Sequence, residues 1–385
     1  MQEATPATVW DAVVGQVDAV KQLQQAGKEP KALTHAWLLV GPPGSGRSTA
    51  ARAFAAALEC DSRTGCGQCP GCKMVLAGTH PDVKTVTTEA VTIAIKDVRD
   101  LVEQAAAKPS VGRYRVFVIE DVDRMSQGAA NVLLKAVEEP PPGTIWLLCG
   151  PTAQDVIPTI RSRCRIVRLQ VPKVSEVADL LIREGVPAEN ALAAAQTAGS
   201  HIGMARWLAK DPGAMQRRLA TFEMLSATRS VPAAAIQAAA LVEGARAEAA
   251  AATNVSDERE ITQLRSVLGL ASDDAIPAKL RTQFKDLEED QKRRARRAER
   301  DVLQRTCSDL LTLLRDVLVL QFQAEVLATN GASPAAARLT ADLAVRLTPA
   351  QTLERVDAVL EAQARLAANV PALLAMEAML LALRW

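Results

Sequence analysis

Residues 41–49 read Gly-Pro-Pro-Gly-Ser-Gly-Arg-Ser-Thr, the pattern of a phosphate-binding loop with arginine where lysine normally stands. Such a loop joins the end of a buried strand to the start of a helix, because its backbone N–H groups meet the anion at the helix N-terminus. The apolar run Ala36–Val40 and the alanine-rich segment Ser48–Leu58 supply that strand and helix. The pattern therefore predicts an α/β domain built on a parallel sheet.

The residues of this loop are candidate ligands for a nucleotide. They are Gly41, Gly44, Ser45, Gly46, Arg47, Ser48 and Thr49. The glycines allow the backbone to cradle a phosphate. The planar guanidinium of Arg47, however, does not reproduce the flexible ammonium that reaches the β- and γ-phosphates. The loop indicates a nucleotide site that is either weakened or retired.

A second acidic motif supports the same interpretation. The apolar run Val116–Ile119 is followed by Glu120 and Asp121. ATPases with such a phosphate-binding loop usually have these two acids in the opposite order, Asp before Glu. Here the longer acid stands where magnesium is normally held, and Asp121 falls about one methylene short of the water-polarising position. A displacement on the order of 1 Å can cost roughly 100-fold in rate. Two acids at a strand end without a nucleotide role are the alternative.

The alternation of apolar runs and helical segments extends along the first half of the chain. Further strands are predicted at Val83–Val86, Arg115–Ile119, Ile145–Cys149 and Arg165–Leu169, with helices at Ile95–Ala107 and Gly128–Glu139. We expect an α/β domain over residues 1–171, a small helical lid over 172–212, and an all-α domain over 213–385.

In the all-α domain, apolar residues recur three and four positions apart. They include Leu303, Cys307, Leu310, Leu314 and Val317. Upstream, the acidic run 288–290 lies four residues before the basic run 292–294. This is the spacing of helical ion pairs.

Four cysteines within thirteen residues predict a metal site. Cys60, Cys66, Cys69 and Cys72 are spaced Cys-x5-Cys-x2-Cys-x2-Cys, with glycine and proline between them. Four thiolates complete a tetrahedral shell and leave no open position, so the expected metal is structural Zn²⁺. A disulfide pair or unrelated thiols are the alternatives.

Charge and hydropathy narrow the classes of function. Lys and Arg number 45 and Asp and Glu 44, so a contact with DNA would have to be local. No stretch reaches the ~20 apolar residues of a membrane span, and we expect a cytoplasmic protein without a membrane partner. The three histidines form no triad and no His-x-x-x-His pair, which argues against hydrolase and catalytic-metal chemistry.

Taken in order, these motifs resemble those of bacterial clamp-loader subunits of the AAA+ class. The resemblance rests on Gly41–Thr49, the four-cysteine module, Glu120-Asp121 and the triplet Ser162-Arg163-Cys164. In that family the triplet carries an arginine finger, offered to the ATP of a neighbouring subunit. Gly203-Met204-Ala205-Arg206 resembles the sensor-2 segment, in which an arginine approaches bound nucleotide.

The resemblance implies a function within a clamp loader. Lacking the loop lysine and the Asp-Glu order, the chain is closer to the delta-prime type than to the gamma/tau motor. It would belong to the DNA polymerase III holoenzyme, with weak or absent ATPase activity, ATP or ADP as possible ligands, and residues 213–385 as its collar. Its catalytic residue would be Arg163, and its partners the gamma/tau and delta subunits, the sliding clamp and, through the complex, primer-template DNA. A gamma/tau-like motor and a zinc-dependent DNA-binding protein are the alternatives.

Overall fold

A computed structural model describes residues 8–384 apart from 87–92, 212, 269, 272–273, 275, 278–279, 325–328 and 331–332. The chain divides into two compact units, Met1–Pro212 and Gly213–Trp385. The first contains a parallel sheet covered by helices and the second is helical. The predicted fold class, an α/β domain followed by an all-α domain, is confirmed.

Five strands form the sheet of the first unit. They are β1 (Ala36–Val40), β2 (Val83–Val86), β3 (Arg115–Ile119), β4 (Thr144–Gly150) and β5 (Arg165–Arg168). They lie in the order β2-β3-β4-β1-β5, and every pairing is parallel. The phosphate-binding loop after β1 and the acids after β3 therefore lie at one edge of the sheet, with β4 between their strands.

Nine α-helices and two short 3-10 helices are described in this unit. The α-helices are α1 (Val17–Lys28), α2 (Arg47–Leu58), α3 (Pro70–Leu76), α4 (Ile95–Ala105), α5 (Gln127–Glu138), α6 (Pro158–Arg161), α7 (Val174–Arg183), α8 (Ala188–Thr197) and α9 (Ile202–Lys210). The 3-10 helices are Val9–Ala12 and Val122–Arg124. The helix α2 begins at the phosphate-binding loop, as the motif predicts.

The central strands are buried on both faces, which explains their unbroken apolar sequence. Trp37 and Leu39 belong to the core that includes α2, where Trp37 meets Phe54 edge to face at 5.1 Å. On the other face, Phe117 stacks on Trp146 with ring centroids 4.8 Å apart. The two cores hold the sheet, and with it the loops at its edges, in place.

The second unit is a bundle of α10 (Ala214–Ala227), α11 (Val231–Val267), α12 (Arg281–Gln321), α13 (Pro334–Arg346), α14 (Pro349–Ala367) and α15 (Ala372–Leu383). The core of this unit contains all five of the apolar residues predicted on α12. Ser230, Ser333 and Thr348 each cap a helix that has proline in its first turn, where a missing N–H costs nothing. No described helix meets the length and apolarity needed to span a membrane.

The predicted ion pairs at the start of α12 form only in part. Lys292 pairs with Glu288 at 2.7 Å, as predicted, and Arg293 pairs with Asp290. Arg294 instead reaches across to α11, where its Nη2 lies 2.9 Å from an Asp257 carboxylate oxygen. The neighbouring helix supplies acids that spacing within one helix does not reveal.

Candidate nucleotide and metal sites

The loop after β1 has the backbone of a phosphate cradle. Gly44 and Gly46 have φ values of 83° and 89°, which favour glycine. Gly46 is the N-cap of α2 and, as a glycine, has no side chain that could cap this helix. Its carbonyl accepts from the Ala50 N–H at 2.8 Å, so the first-turn N–H groups of residues 47–49 are free of helical bonds.

Two polar side-chain atoms of this loop are buried without a hydrogen-bond partner in the described part of the chain. They are Ser45 Oγ and Arg47 Nη1. Buried donors that lack a partner are costly, and both belong to the loop whose free N–H groups favour an anion. The residues present therefore fit a phosphate group, with Arg47 as the cation of the site.

The rim of the loop is held by Gln16, which sequence reasoning did not identify. This buried side chain donates from Nε2 to the carbonyls of Gln170 at 2.7 Å and Ser45 at 3.3 Å, and it accepts from the Gln170 N–H at 2.9 Å. It joins the segment before α1, the phosphate-binding loop and the segment after β5. No motif signals such a role for a single glutamine.

His201 lies directly against the loop. A Cβ built on Gly44 would be 2.4 Å from His201 Cγ and 2.8 Å from its Cα. Ile202 N–H, at the start of α9, donates to the Gly44 carbonyl at 3.4 Å. Burial, together with the positive charge of Arg47, lowers the pKa of His201. Sequence reasoning counted this histidine but did not assign it to the loop.

Arg206, the predicted sensor-2 residue, is paired with Glu184, the C-cap residue of α7. Its Nε and Nη2 lie 2.8 and 2.6 Å from Glu184 Oε1. Its guanidinium therefore links α9 to the end of α7. The proposed nucleotide contact of Arg206 stays a prediction.

The acidic pair lies at the same sheet edge as the loop. Arg52 Nη2, on α2, is 3.9 Å from Glu120 Oε1, and Asp121 has a φ of 54°. The next acid, Asp123, has a buried carboxylate oxygen without a partner among the described residues. Burial raises the pKa of Asp123 and so does Asp121, while Arg124 and Arg47 oppose the rise. Asp123 was not among the predicted site residues.

Arg163 lies at the other edge of the sheet, between α6 and β5. Arg165, the first residue of β5, pairs with Trp37 near the start of β1. Arg163 Nη2 lies 2.6 Å from Glu138 Oε1, and its Nη1 donates to the Thr159 carbonyl at 3.0 Å. Its side chain is 40% exposed.

A pocket of about 530 Å³ adjoins Arg163. Apart from Arg163, it is lined by residues that precede β1 and β3 and by residues before and at the start of β4. They are Pro30, Leu33, Thr34, His35, Tyr114, Pro140, Pro141, Pro142, Gly143, Thr144 and Ile145. The arginine thus faces a recess on the edge of the sheet away from the phosphate-binding loop.

The four predicted metal ligands come together. The sulfur atoms of Cys60, Cys66, Cys69 and Cys72 lie within 4.8 Å of one another. Backbone N–H groups of residues 66, 69 and 72 each donate to a preceding thiol at 3.4 Å. Gly65 and Gly67 turn the chain with φ values of 73° and 75°. The cluster could bind a metal ion, and its donor set is compatible with structural zinc.

Two buried carboxylates fix the loop 108–114 beside this cluster. Asp82 accepts four hydrogen bonds from residues 110–112, at 2.7 to 3.0 Å. Glu59 accepts from the N–H groups of Arg113 and Tyr114 at 2.9 and 3.1 Å. Arg113 in turn donates to the Cys60 carbonyl at 2.8 Å. The cluster is therefore tied to the start of β3, a link that spacing alone does not show.

These carboxylates differ in their pKa values. Four donated hydrogen bonds outweigh burial and lower the pKa of Asp82 to about 2. At Glu59 burial prevails and raises the pKa. Asp82 is consequently ionised whenever the first unit is folded near neutral pH.

Comparison with known proteins finds similarity to one family over part of the chain. Residues 15–173 match the family described as DNA polymerase III, delta subunit. The subunit delta' of Pseudomonas aeruginosa is 38% identical over 34% of this chain and 41% of its own length. The delta' subunit of Escherichia coli is 34% identical, over 42% and 50%. Subunit tau/gamma of Haemophilus influenzae is also 34% identical, over 48% and 28%.

The chain thus spans half or less of each of these curated relatives. A gamma subunit-related protein of DNA polymerase III from Thermotoga maritima covers 95% of this chain and 99% of its own, at 16% identity and a TM-score of 0.45. The relatives include both delta' and tau/gamma subunits.

The sheet order, the loop after β1 and the helices α7–α9 define a P-loop α/β unit that ends in three helices. Residues 15–173 of this unit are similar to the clamp-loader subunits of DNA polymerase III.

Proposed function

We propose that this chain is the delta-prime type of clamp-loader subunit, a stator that presents Arg163 to ATP held by a neighbouring gamma/tau subunit. The position of Arg163 carries the proposal. Strands are parallel, so the segment before β5 and the loop after β1 lie at opposite edges, separated by about 16 Å of strand. Arg163 is therefore too far from the chain's own loop to act there.

The electrostatics of the chain's own loop support the same assignment. Arg47 is bulkier than lysine and has one buried nitrogen that lacks a partner among the described residues, and Asp121 is short for a water-polarising acid. Both changes weaken hydrolysis at this site. An arginine finger supplied to another subunit raises the rate of phosphoryl transfer by roughly 10³- to 10⁵-fold. The subunit can thus contribute to catalysis without hydrolysing ATP.

The same proposal assigns the remaining features. The second unit would serve as the collar, and the gamma/tau and delta subunits, the sliding clamp and primer-template DNA would be the partners in a cytoplasmic complex. The four thiols would hold structural Zn²⁺, which supplies a fixed crosslink between the end of α2 and α3. A phosphate-bearing ligand, ATP or ADP, would fill the Arg47 loop. Calorimetry with ATP that gives no heat at millimolar concentration would remove that last assignment.

The decisive experiment is Arg163→Ala in a loader reconstituted with gamma/tau and delta subunits. We expect clamp loading and ATP turnover to fall by at least a hundredfold while the complex still assembles. Arg99→Ala is the control, because Arg99 is an exposed arginine on α4. Unchanged loading by the Arg163 variant would contradict the proposal.

A motor of the gamma/tau type is the second candidate, favoured by the tau/gamma relatives and by the cradle geometry of the loop. It predicts steady-state ATP hydrolysis by the isolated chain, abolished by Glu120→Gln. The stator predicts no hydrolysis above background for either protein.

A further inference from the structure

Four arginines form one stripe on α12. Arg293, Arg296, Arg297 and Arg300 are spaced i, i+3, i+4 and i+7, so at about 100° per residue they share one side of the helix. The stripe is about 10 Å long, from the helical rise of 1.5 Å per residue. Six cations and a single acid lie between Lys292 and Arg300, which makes this the most basic stretch of the helix.

The other side of α12 faces α11. Arg294 pairs with Asp257 and Glu260, and Gln291 Nε2 donates to the Asp257 carbonyl at 3.1 Å. Arg294 and Gln291 are roughly 100° and 160° around the helix from Arg293. The stripe is therefore turned away from α11.

The segments of α11 and α12 that lie next to the stripe contribute no described side chain to the apolar core. Among described side chains from Ala250 to Val302, none is fully buried, and the nearest buried residues are Ala249 and Leu303. The part of each helix that lies between Ala250 and Val302 is about 30 Å long. Charged residues are depleted at the cores of protein interfaces, and the stripe offers only arginine.

The arginines of the stripe make only weak, exposed interactions with their present partners. Arg293 pairs with Asp290, Arg297 Nε lies 3.8 Å from Asp301, and Arg300 donates to Asn369. Within the described ranges, Arg296 is exposed and has no hydrogen-bond or ion-pair partner. Exposed pairs of this kind are worth about 0–1 kcal/mol, so a polyanion can displace the acids.

We propose that the arginine stripe of α12 binds the phosphate backbone of duplex DNA, independent of sequence. Guanidinium groups match phosphate oxygens in a bidentate geometry, and a row of them follows the closely spaced charges of a duplex. This contact does not rest on the role of Arg163. It gives the second unit a DNA-binding surface of its own, although the whole chain is nearly neutral.

The test measures binding of the full chain to a 20-base-pair DNA duplex at 50 to 200 mM salt. The readout is the fluorescence anisotropy of the labelled duplex. We expect the triple variant R293Q/R296Q/R297Q to lose at least tenfold in affinity at 50 mM salt. Its slope of log K against log salt should fall by about 2 to 3, because each lost phosphate contact removes about 0.9. The lysine triple R293K/R296K/R297K should retain most of the slope.

The matched control is R338Q/R346Q/R365Q, which removes two exposed arginines from α13 and one half-buried arginine from α14 of the same unit. It should bind DNA within twofold of the wild type. Equal losses in the two triples, no binding by the wild type at 50 mM salt, or preference for polyglutamate over DNA would each overturn the proposal. Circular dichroism and thermal melting establish that all variants fold.

Discussion

The Arg163 guanidinium is paired with the Glu138 carboxylate, with Nη2 and Oε1 2.6 Å apart. Both side chains are about 40% exposed, so the pair contributes no more than about 1 kcal/mol. A finger that reaches a phosphate has to give up this partner. The pair thus keeps Arg163 close to the sheet edge without burying it.

Glu138→Gln should raise the ATP turnover of a reconstituted loader, by up to about fivefold for 1 kcal/mol of released pairing energy. If Arg163 acts as the proposed finger, it then reaches its target without leaving an ionic partner. Urea unfolding of the isolated chain should change by less than about 1 kcal/mol. A drop in turnover would show that Glu138 instead positions the finger.

Gly44→Ala should destabilise the first unit by about 3 kcal/mol, the sum of a positive-φ cost and a steric clash with His201. Gly78→Ala isolates the first contribution, because Gly78 has a φ of 71° and no described atom lies within 4 Å of its Cβ position. It should cost only about 1 kcal/mol. Urea unfolding of both variants measures the difference, and equal losses would mean that His201 does not constrain the loop.

Asp82→Asn should destabilise the first unit by roughly 2 kcal/mol at pH 7. The folded pKa of about 2 is below the ordinary value of 3.8. The ionised carboxylate therefore contributes stability that is present above about pH 4 and is lost as the pH falls towards 2. Unfolding curves of the wild type and the variant should converge over that range.

Asp100→Asn provides the comparison for this experiment, because Asp100 is an exposed acid on α4. It should leave stability within about 0.5 kcal/mol of the wild type at every pH. A gap between the Asp82 variant and the wild type that persists unchanged at pH 3 would contradict the assigned ionisation.

Cys69→Ser should remove bound metal from the purified chain. A four-thiolate site with one ligand replaced binds zinc far more weakly, and structural zinc contributes directly to folding. Elemental analysis should find one zinc per chain in the wild type and much less in the variant, with a lower melting temperature. Cys164→Ser, a half-buried cysteine outside the cluster, should keep its zinc. Metal-free wild type would refute the assignment.

Much of the fold follows from local sequence. The apolar runs that predicted β1, β2 and β3 coincide with those strands, and β4 and β5 differ from the predictions by a residue at their ends. Fully buried parallel strands lack polar alternation, which makes them stand out. The four cysteines could likewise be recognised, because ligands within thirteen residues need only tight turns to meet.

The sequence by itself determined which segments become strands and helices, where a phosphate cradle begins and which thiols meet. Only the tertiary structure decided that His201 lies on Gly44, that Asp82 and Glu59 hold the loop 108–114, and that Arg163 and the cradle occupy opposite edges. These relationships join residues from 28 to more than 100 positions apart along the chain. They depend on strand order and helix packing, which short-range patterns of polarity do not encode.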